Sequence, residues 1–327
     1  MTGGFEGYVG ELRRHGALRS IVLRQFFIAL SESKGLRAIA ERSPMGKRAS
    51  GRFVAGTRMQ DVMRVANELN DLGIAATMDV LGENVTNAEE ARESMAEYHK
   101  MLDEIAARKL NANVSVKLTH VGFDVDQAMC RELVCGLVRH AADLGNFVRI
   151  DMEGSPYTQQ TLNLVYELHA ATLPADAVGV VVQAYLYRSE KDVQDLCSKG
   201  IRIRLCKGAY KEPSDIAFPK KKDVDANYVK LAKKLMTSGL YHGIATHDER
   251  IIQELIGFAR KEKIAPEAFE FQMLYGIKRD LQQQIAREGW HMRTYVPFGT
   301  EWYPYFMRRL AERPANVMFI ARNLLRS

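Results

Sequence analysis

Beyond residue 72 the chain alternates between two hydrophobic rhythms. Short β-rich runs begin near Ile74, Val114, Phe147, Val178, Ile201, Ile244, Phe269 and Met292. Between them lie stretches with apolar positions at helical spacing, over 88–109, 126–144, 158–171, 190–198, 225–238, 249–261 and 279–287, and a last one carrying Arg308. Strand followed by helix implies a parallel sheet, because each parallel connection needs a long crossover. Eight such units predict an α/β fold of the closed (β/α)8 TIM-barrel type. An open, doubly wound sheet is the rival that the alternation leaves standing. The first 72 residues carry helical patterns only, over 21–40 and 58–72, the second ended by Gly73. They predict an N-terminal helical arm on a barrel that takes up 73–327, with a final helix over 316–325.

Parity inside the strands sharpens the picture. A buried parallel strand is usually a near-continuous apolar run, yet several here alternate. Arg149, Asp151 and Glu153 share one face against Val148, Ile150 and Met152. Arg202 and Arg204 alternate with Ile201, Ile203 and Leu205, and Ser115 and Lys117 with Val114, Val116 and Leu118. Glu270 and Gln272 alternate with Phe269, Phe271 and Met273. In a barrel one set meets the helices and the other fills the lumen. The apolar sets are expected to meet the helices, and the lumen to hold paired Arg and Asp/Glu, since a buried charge is costly alone. Such pairs early in the strands, Arg149, Arg202 and Glu270, would simply fill the barrel.

Residues late in the strands read differently, because barrel chemistry sits at the C-terminal strand ends. Those ends are Asp79, Lys117, Asp151, Gln183 with Tyr185, Arg204 with Lys207, Thr246 with His247, Gln272, and Tyr295. Charges of both signs with aromatic rings at one level predict a pocket for a polar ligand and a planar one. The stretch from Tyr295 to Asn316 adds Arg308 and Arg309 on a helix after an aromatic turn. Adjacent guanidinium groups suit a carboxylate gripped in bidentate fashion. The plainer reading makes Arg308 and Glu312 an i,i+4 surface pair.

Composition narrows the classes. At 327 residues and a formal charge of +6, the chain resembles an ordinary globular protein with some attraction to anions. No Lys/Arg block resembles a nucleic-acid tail, and Lys220-Lys221-Lys222 reads as a solvated loop. Cys130, Cys135, Cys197 and Cys206 form no CxxC pair and are expected as reduced thiols in a cytoplasmic protein. No His/Cys cluster has metal-ligand spacing. No segment reaches bilayer-spanning length and the start lacks a signal-peptide pattern. Gly3, Gly4, Gly7 and Gly10 follow no strand, so they are not a dinucleotide fingerprint.

Taken in order, the barrel motifs resemble the proline dehydrogenase family in its bacterial single-function form. They are Val114-Ser-Val-Lys-Leu118, Val148-Arg-Ile-Asp-Met-Glu-Gly154, Val182-Gln-Ala-Tyr-Leu186, Arg202-Ile-Arg-Leu-Cys-Lys-Gly-Ala-Tyr210, Ala245-Thr-His-Asp248, Phe269-Glu-Phe-Gln272 and the stretch from Tyr295. The resemblance implies a distorted barrel that binds FAD without a Rossmann fold. It implies oxidation of L-proline to Δ1-pyrroline-5-carboxylate by hydride transfer from C5 to flavin N5, with electrons passed to a membrane quinone. It also implies roles. Arg308 and Arg309, with Lys117, would take the substrate carboxylate, and Glu312 would steady the arginines. Tyr295 and Tyr210 would wall the ring, with Leu205 beside them. Asp151 would organise Tyr295 and Lys117, and Arg204 would lie near flavin N5, so that Asp151 and Arg204 are the catalytic candidates. Lys207, Gly208 and Ala209 would meet the FAD phosphates or ring edge. Met152 and Gln183 would touch the flavin, and Thr246 with His247 the pyrophosphate–adenosine end.

The turn Gly299-Thr-Glu-Trp-Tyr-Pro304 resembles the single-function branch. At this length no aldehyde dehydrogenase or DNA-binding domain is expected. A separate pyrroline-5-carboxylate dehydrogenase is therefore the expected partner, met in a transient complex. Peripheral contact with the inner membrane surface is expected through the basic region around Arg308, Arg309, Arg313 and Arg322. Two other readings stay open on the residues alone. One is a Schiff-base lyase using Lys117 or Lys207. The other is a basic protein that docks on membrane or nucleic acid.

Overall fold

Eight parallel strands close into a barrel in sequence order, β1 through β8, with β8 returning to pair with β1. The computed structural model describes residues 43, 46, 50–82, 85–171 and 175–312, with side chains described through Leu310. The amphipathic region over 21–40, the helix over 316–325, the Glu312 side chain, Arg313 and Arg322 lie outside the described residues.

The strands are β1 (Ala75–Val80), β2 (Ala112–Val116), β3 (Val148–Ile150), β4 (Val178–Gln183), β5 (Arg202–Cys206), β6 (His242–Ala245), β7 (Phe269–Leu274) and β8 (Met292–Phe298). Each starts within about two residues of the position that the hydrophobic pattern predicts. The helices are α1 (Met59–Asp71), α2 (Ala88–Ala107), α3 (Gln127–Asp143), α4 (Ser155–Ala171), α5 (Ser189–Ser198), α6 (Lys221–Met236), α7 (Glu249–Lys261), α8 (Arg279–Arg287) and α9 (Trp302–Glu312). Local chemistry sets several ends. The Asn87 side chain accepts from the N–H groups of Glu89 and Glu90 to open α2, and Asp126 does the same for Ala128 and Met129 at α3. Gly73, at φ +72°, makes the turn that lets α1 run into β1.

The parity reading holds. Val114, Val116, Val148, Ile150, Ile203 and Phe271 belong to the apolar core formed with the surrounding helices. Arg149, Arg204, Glu270 and Gln272 are buried, and the hydrogen bonds of the charged and polar set run across the lumen from strand to strand. Fully closed parallel pairing leaves no edge to protect, and every strand can be covered on both sides.

The barrel departs from regularity at its seam. Helix α1, from before β1, packs outside β1 and β8. Helix α9 instead packs in a second apolar cluster with Phe53, Val54, Leu81 and Ile277. Leu81 follows β1 and Ile277 follows β7, so α9 sits at the C-terminal mouth. Residues 53–56 are stitched to the same corner, where Ala55 N donates to Pro297 O at 2.9 Å and Gly299 N to Gly56 O at 3.0 Å. That arrangement brings Arg308 and Arg309 to the mouth.

Candidate active site

The C-terminal strand ends converge on one ionic network. Lys117, the residue after β2, places Nζ 3.0 Å from both oxygens of Asp79 on β1. The Asp151 Oδ2 atom, after β3, is 3.8 Å from the same ammonium. Tyr295 on β8 donates its phenol to Asp151 Oδ2 at 2.9 Å, and Lys117 Nζ is 3.4 Å from that phenol oxygen. The other Asp151 oxygen takes Arg204 Nη1 at 2.9 Å and the Ser115 hydroxyl at 2.7 Å. Arg204 also donates Nε to Gln272 Oε1 at 2.6 Å, and its guanidinium lies 5.2 Å from the Tyr295 ring centre. The backbone explains why Asp151 points here, since its N–H donates to Val116 O and so prolongs the β2–β3 pairing by one residue.

Burial and the neighbouring charges together set the protonation of these groups. Burial drives the Asp79 carboxyl above the usual range; Lys117 pulls it down, and Asp151 pushes it further up. Burial, then the Asp151 and Asp79 charges, keep the Tyr295 phenol well above its ordinary value. Tyr295 is therefore a fixed donor at neutral pH.

Below this level the lumen is closed by a separate pair. Arg293 Nε lies 2.8 and 2.9 Å from the two Glu270 oxygens, and its Nη1 reaches Ala76 O and Asn113. Burial opposes ionisation of Glu270, but Arg293 and hydrogen bonds outweigh it and hold the carboxyl below its ordinary value. Gln272 links the two levels, donating to Glu270 and accepting from Arg204. These early-strand charges fill the barrel and support the mouth.

Above the network opens a cavity of about 1890 Å³, larger than a small substrate needs. Its lining carries eight Lys/Arg residues against five Asp/Glu, a balance that favours an anionic occupant. Apart from Arg204, which is held in the network below by Asp151, the cations fall in two groups. Lys117, Arg308 and Arg309 line the β1, β2 and β8 side; Lys207, Lys221, Arg250 and Lys278 line the side of the β5, β6 and β7 exits. Lys207 lies 2.5 Å from Asp225 and 3.2 Å from Asp248. Burial raises both carboxyls, yet the hydrogen bonds from Lys207, joined at Asp225 by Lys221, leave them below their ordinary values. Met152, Leu81, Val181 and Met273 give the lining apolar patches. Two separate cationic regions with apolar patches in the same lining fit a dinucleotide with a planar ring beside a small carboxylate.

Most residues that the resemblance singles out reach this one cavity. Lys117, Asp151, Met152, Gln183, Arg204, Lys207, Gly208, Ala209, Tyr210, Thr246, His247, Tyr295, Arg308 and Arg309 all line it. Leu205 does not. It has the parity of Ile203, is 0% exposed and lies in the apolar core toward the helices, so its side chain is no part of the cavity wall. Gln183 is occupied in holding the β3 exit, donating to Glu153 O at 2.8 Å. Thr246 Oγ1 accepts from Asp248 N, and His247 Nε2 accepts from Leu274 N, so both also shape the strand exits. Gly208 is demanded locally, because its φ is +115° and a Cβ there would stand 2.4 Å from the Tyr185 ring. Asp151 divides its expected role with a second carboxylate. It takes Tyr295 and Arg204, while the carboxylate nearest Lys117 is Asp79. The strand-end pattern in the sequence reaches Asp79 without giving it a role. The signal available there is a single carboxylate in a β1 strand that is otherwise uncharged. Its burial, at 1% exposure, is what marks it.

Comparison with known proteins comes to one point. The family model described as Proline dehydrogenase matches residues 62–322. The chain is 40% identical to Proline dehydrogenase 2 of Bacillus subtilis over 304 residues, 93% of this chain and 99% of that one. It is 37% identical to Proline dehydrogenase of Deinococcus radiodurans over 303 residues, 90% of this chain and 97% of that one. Among solved structures, proline utilization A (PutA) from Bdellovibrio bacteriovorus, inactivated by N-propargylglycine, superposes with a TM-score of 0.76 at 27% identity, covering 82% of this chain and 33% of that one.

Proposed function

As a member of the proline dehydrogenase family, this chain is a flavin-dependent oxidoreductase acting on proline, the first step of proline breakdown, and we propose that its flavin is FAD and its electron acceptor a membrane quinone. The observation that carries the reading is the joining of Asp79, Lys117, Tyr295, Asp151 and Arg204 into one network beneath a cavity that Arg308 and Arg309 also line. When bound, FAD would supply the two-electron acceptor for the hydride that proline loses from C5 as it becomes Δ1-pyrroline-5-carboxylate.

The protein's own part is binding, orientation and electrostatics. Arg308 and Arg309 grip the proline carboxylate, and Lys117 completes the cationic side. Asp79 holds Lys117 in position and offsets its charge. Tyr295 and Tyr210 flank the ring, and Asp151 fixes Tyr295 through its phenol. Arg204, held by Asp151 and Gln272, presents a fixed cation where negative charge accumulates during the reaction, at no reorganisation cost. The cationic excess of the lining favours proline with its amine uncharged, the form able to lose hydride. Lys207 and Lys221, with Thr246 and His247, serve the diphosphate side, and Met152, Gln183, Gly208 and Ala209 the ring side. Glu312 follows Arg309 by three residues on α9 and is assigned to steadying the arginines.

Lysine gripped by a carboxylate favours its charged, non-nucleophilic form, so Asp79 supports this reading over a Schiff base on Lys117. No helix among the described residues is long and apolar enough to cross a membrane; electrons would reach the quinone by peripheral contact with the inner membrane surface, and the product would pass to a separate pyrroline-5-carboxylate dehydrogenase in a transient complex. The test is the visible spectrum of the purified protein before and after L-proline is added without oxygen. A flavin spectrum that bleaches supports the reading. A flavin that stays oxidised sinks the substrate assignment, and a colourless protein that FAD cannot reconstitute sinks the cofactor.

A further inference from the structure

The segment that carries Lys207 to Tyr210 runs between β5 and α6 and has no regular structure to hold it. Three side chains do so instead. Glu212, two residues after Tyr210, reaches across to the start of α4. Its Oε1 accepts from Ser155 N–H at 2.7 Å and its Oε2 from the Ser155 hydroxyl at 2.5 Å. Ser155 stands four residues after Asp151, on the exit of β3. The Tyr185 hydroxyl, at the exit of β4, lies 3.5 Å from the same Oε1. The Tyr185 ring also packs directly beneath Gly208, where no Cβ would fit.

Backbone pairing completes the frame on either side. Tyr185 N donates to Lys207 O at 2.9 Å, and Phe218 N donates to Tyr185 O at 2.8 Å. Leu186 and Ala217 form an isolated antiparallel bridge. The middle of the segment, where Tyr210 sits 43% exposed, depends on the Ser155–Glu212–Tyr185 contacts for its distance from β3.

We propose that Glu212 is a positioning residue for the substrate: it clamps the β5–α6 segment to the β3 exit through Ser155 and, with Tyr185, fixes the height of Tyr210 over the cavity. The inference rests on the reading that Tyr210 walls the proline ring. Glu212 touches no ligand in this scheme and acts only through Tyr210. A carboxylate suits the position, because two acceptor oxygens are used by two Ser155 donors while its charge faces the N-terminus of α4. A ring wall misplaced by a fraction of an ångström loosens substrate binding first and leaves the chemical step of the bound complex largely alone.

The experiment uses the flavin-loaded protein. Bleaching of the wild-type flavin by L-proline is recorded first, so that failure of the substrate reading shows itself separately. Steady-state constants are then taken for Glu212→Ala, Tyr185→Phe, Tyr210→Ala and the Glu212→Ala/Tyr210→Ala pair. Glu212→Ala is expected to raise KM for proline roughly tenfold with kcat within about twofold, and Tyr185→Phe to move KM in the same direction. In the Tyr210→Ala background the effect of Glu212→Ala should vanish, since both act through one ring. A KM that stays at the wild-type value, or effects that simply add, overturns the proposal, even if the melting temperature falls. Should Glu212→Ala fail to fold, Tyr185→Phe decides alone, because it removes a single hydroxyl; an unchanged KM there is equally decisive.

Discussion

Lys117 Nζ stands 3.0 Å from both oxygens of Asp79 and 3.8 Å from Asp151. The nearer carboxylate is 1% exposed, so it has little water to replace a lost partner. Asp79→Asn removes the charge and leaves Lys117 to be drawn toward Asp151, in competition with Tyr295 and Arg204. The expected outcome is a fall in kcat/KM for proline of about ten- to a hundredfold, with flavin content unchanged. Steady-state kinetics alongside the flavin-to-protein absorbance ratio check it. Wild-type kcat/KM in the variant would remove Asp79 from the site.

Arg309 lines the cavity on the Lys117 side, and its guanidinium lies 5.1 Å from the Tyr305 ring centre. Arg309→Met keeps much of the packing and deletes the charge. A charge-assisted hydrogen bond contributes about 1.5–3 kcal/mol, so the dissociation constant of a cyclic amino-acid analogue of proline should rise by roughly ten- to a hundredfold. Titration followed by the flavin spectrum measures it. Loss of flavin with unchanged analogue affinity would contradict the assignment.

Arg204 combines two roles that one variant separates. It is the buried partner of Asp151, and breaking a buried pair costs about 3–5 kcal/mol. It is also the fixed cation proposed to stabilise reduced flavin. Arg204→Met should therefore lower the melting temperature and make the flavin midpoint potential more negative. Arg204→Lys should recover part of the potential, because a charge returns without the planar fork. A potential equal to the wild type in Arg204→Met, with stability lost, would leave Arg204 a purely structural residue.

Legibility in the sequence differs from element to element. The barrel is legible, because strand parity is a period-2 signal and charged residues such as Arg149, Arg204 and Glu270 can sit inside only on one face. Lys117, Asp151 and Tyr295 are legible for a related reason, as polar residues at strand ends on the lumen side. The family resemblance assigns Leu205 to the wall, although its parity with Ile203 already turns it toward the helices. Asp79 stands at a strand end with no partner indicated, since pairing across the β1–β2 seam depends on stagger, which a single sequence does not display. Glu212 carries no signal at all. Its partners Ser155 and Tyr185 lie 57 and 27 residues away, and only the closed barrel brings the exits of β3, β4 and β5 side by side.

His242, on β6, gives a prediction about pH that is independent of the mouth. The residue is 0% exposed. Nδ1 accepts the Ile203 N–H at 2.9 Å, which puts the ring proton on Nε2, facing the Ser238 hydroxyl at 2.9 Å. Burial, then the Arg149 and Arg202 charges, push its pKa down to about 3 from an ordinary 6.5. The folded protein thus keeps His242 neutral where the unfolded chain takes up a proton. The associated stability is fully present above pH 6.5 and is lost as pH falls toward 3. His242→Gln retains an acceptor for Ile203 but cannot titrate. The wild-type minus variant difference in unfolding free energy, measured by denaturant at several pH values, should shrink by up to about 1.4 kcal/mol per pH unit in that window. Because carboxylate titrations are common to both proteins, they cancel in the difference. Parallel pH curves for the two would show that His242 already carries its proton in the folded state.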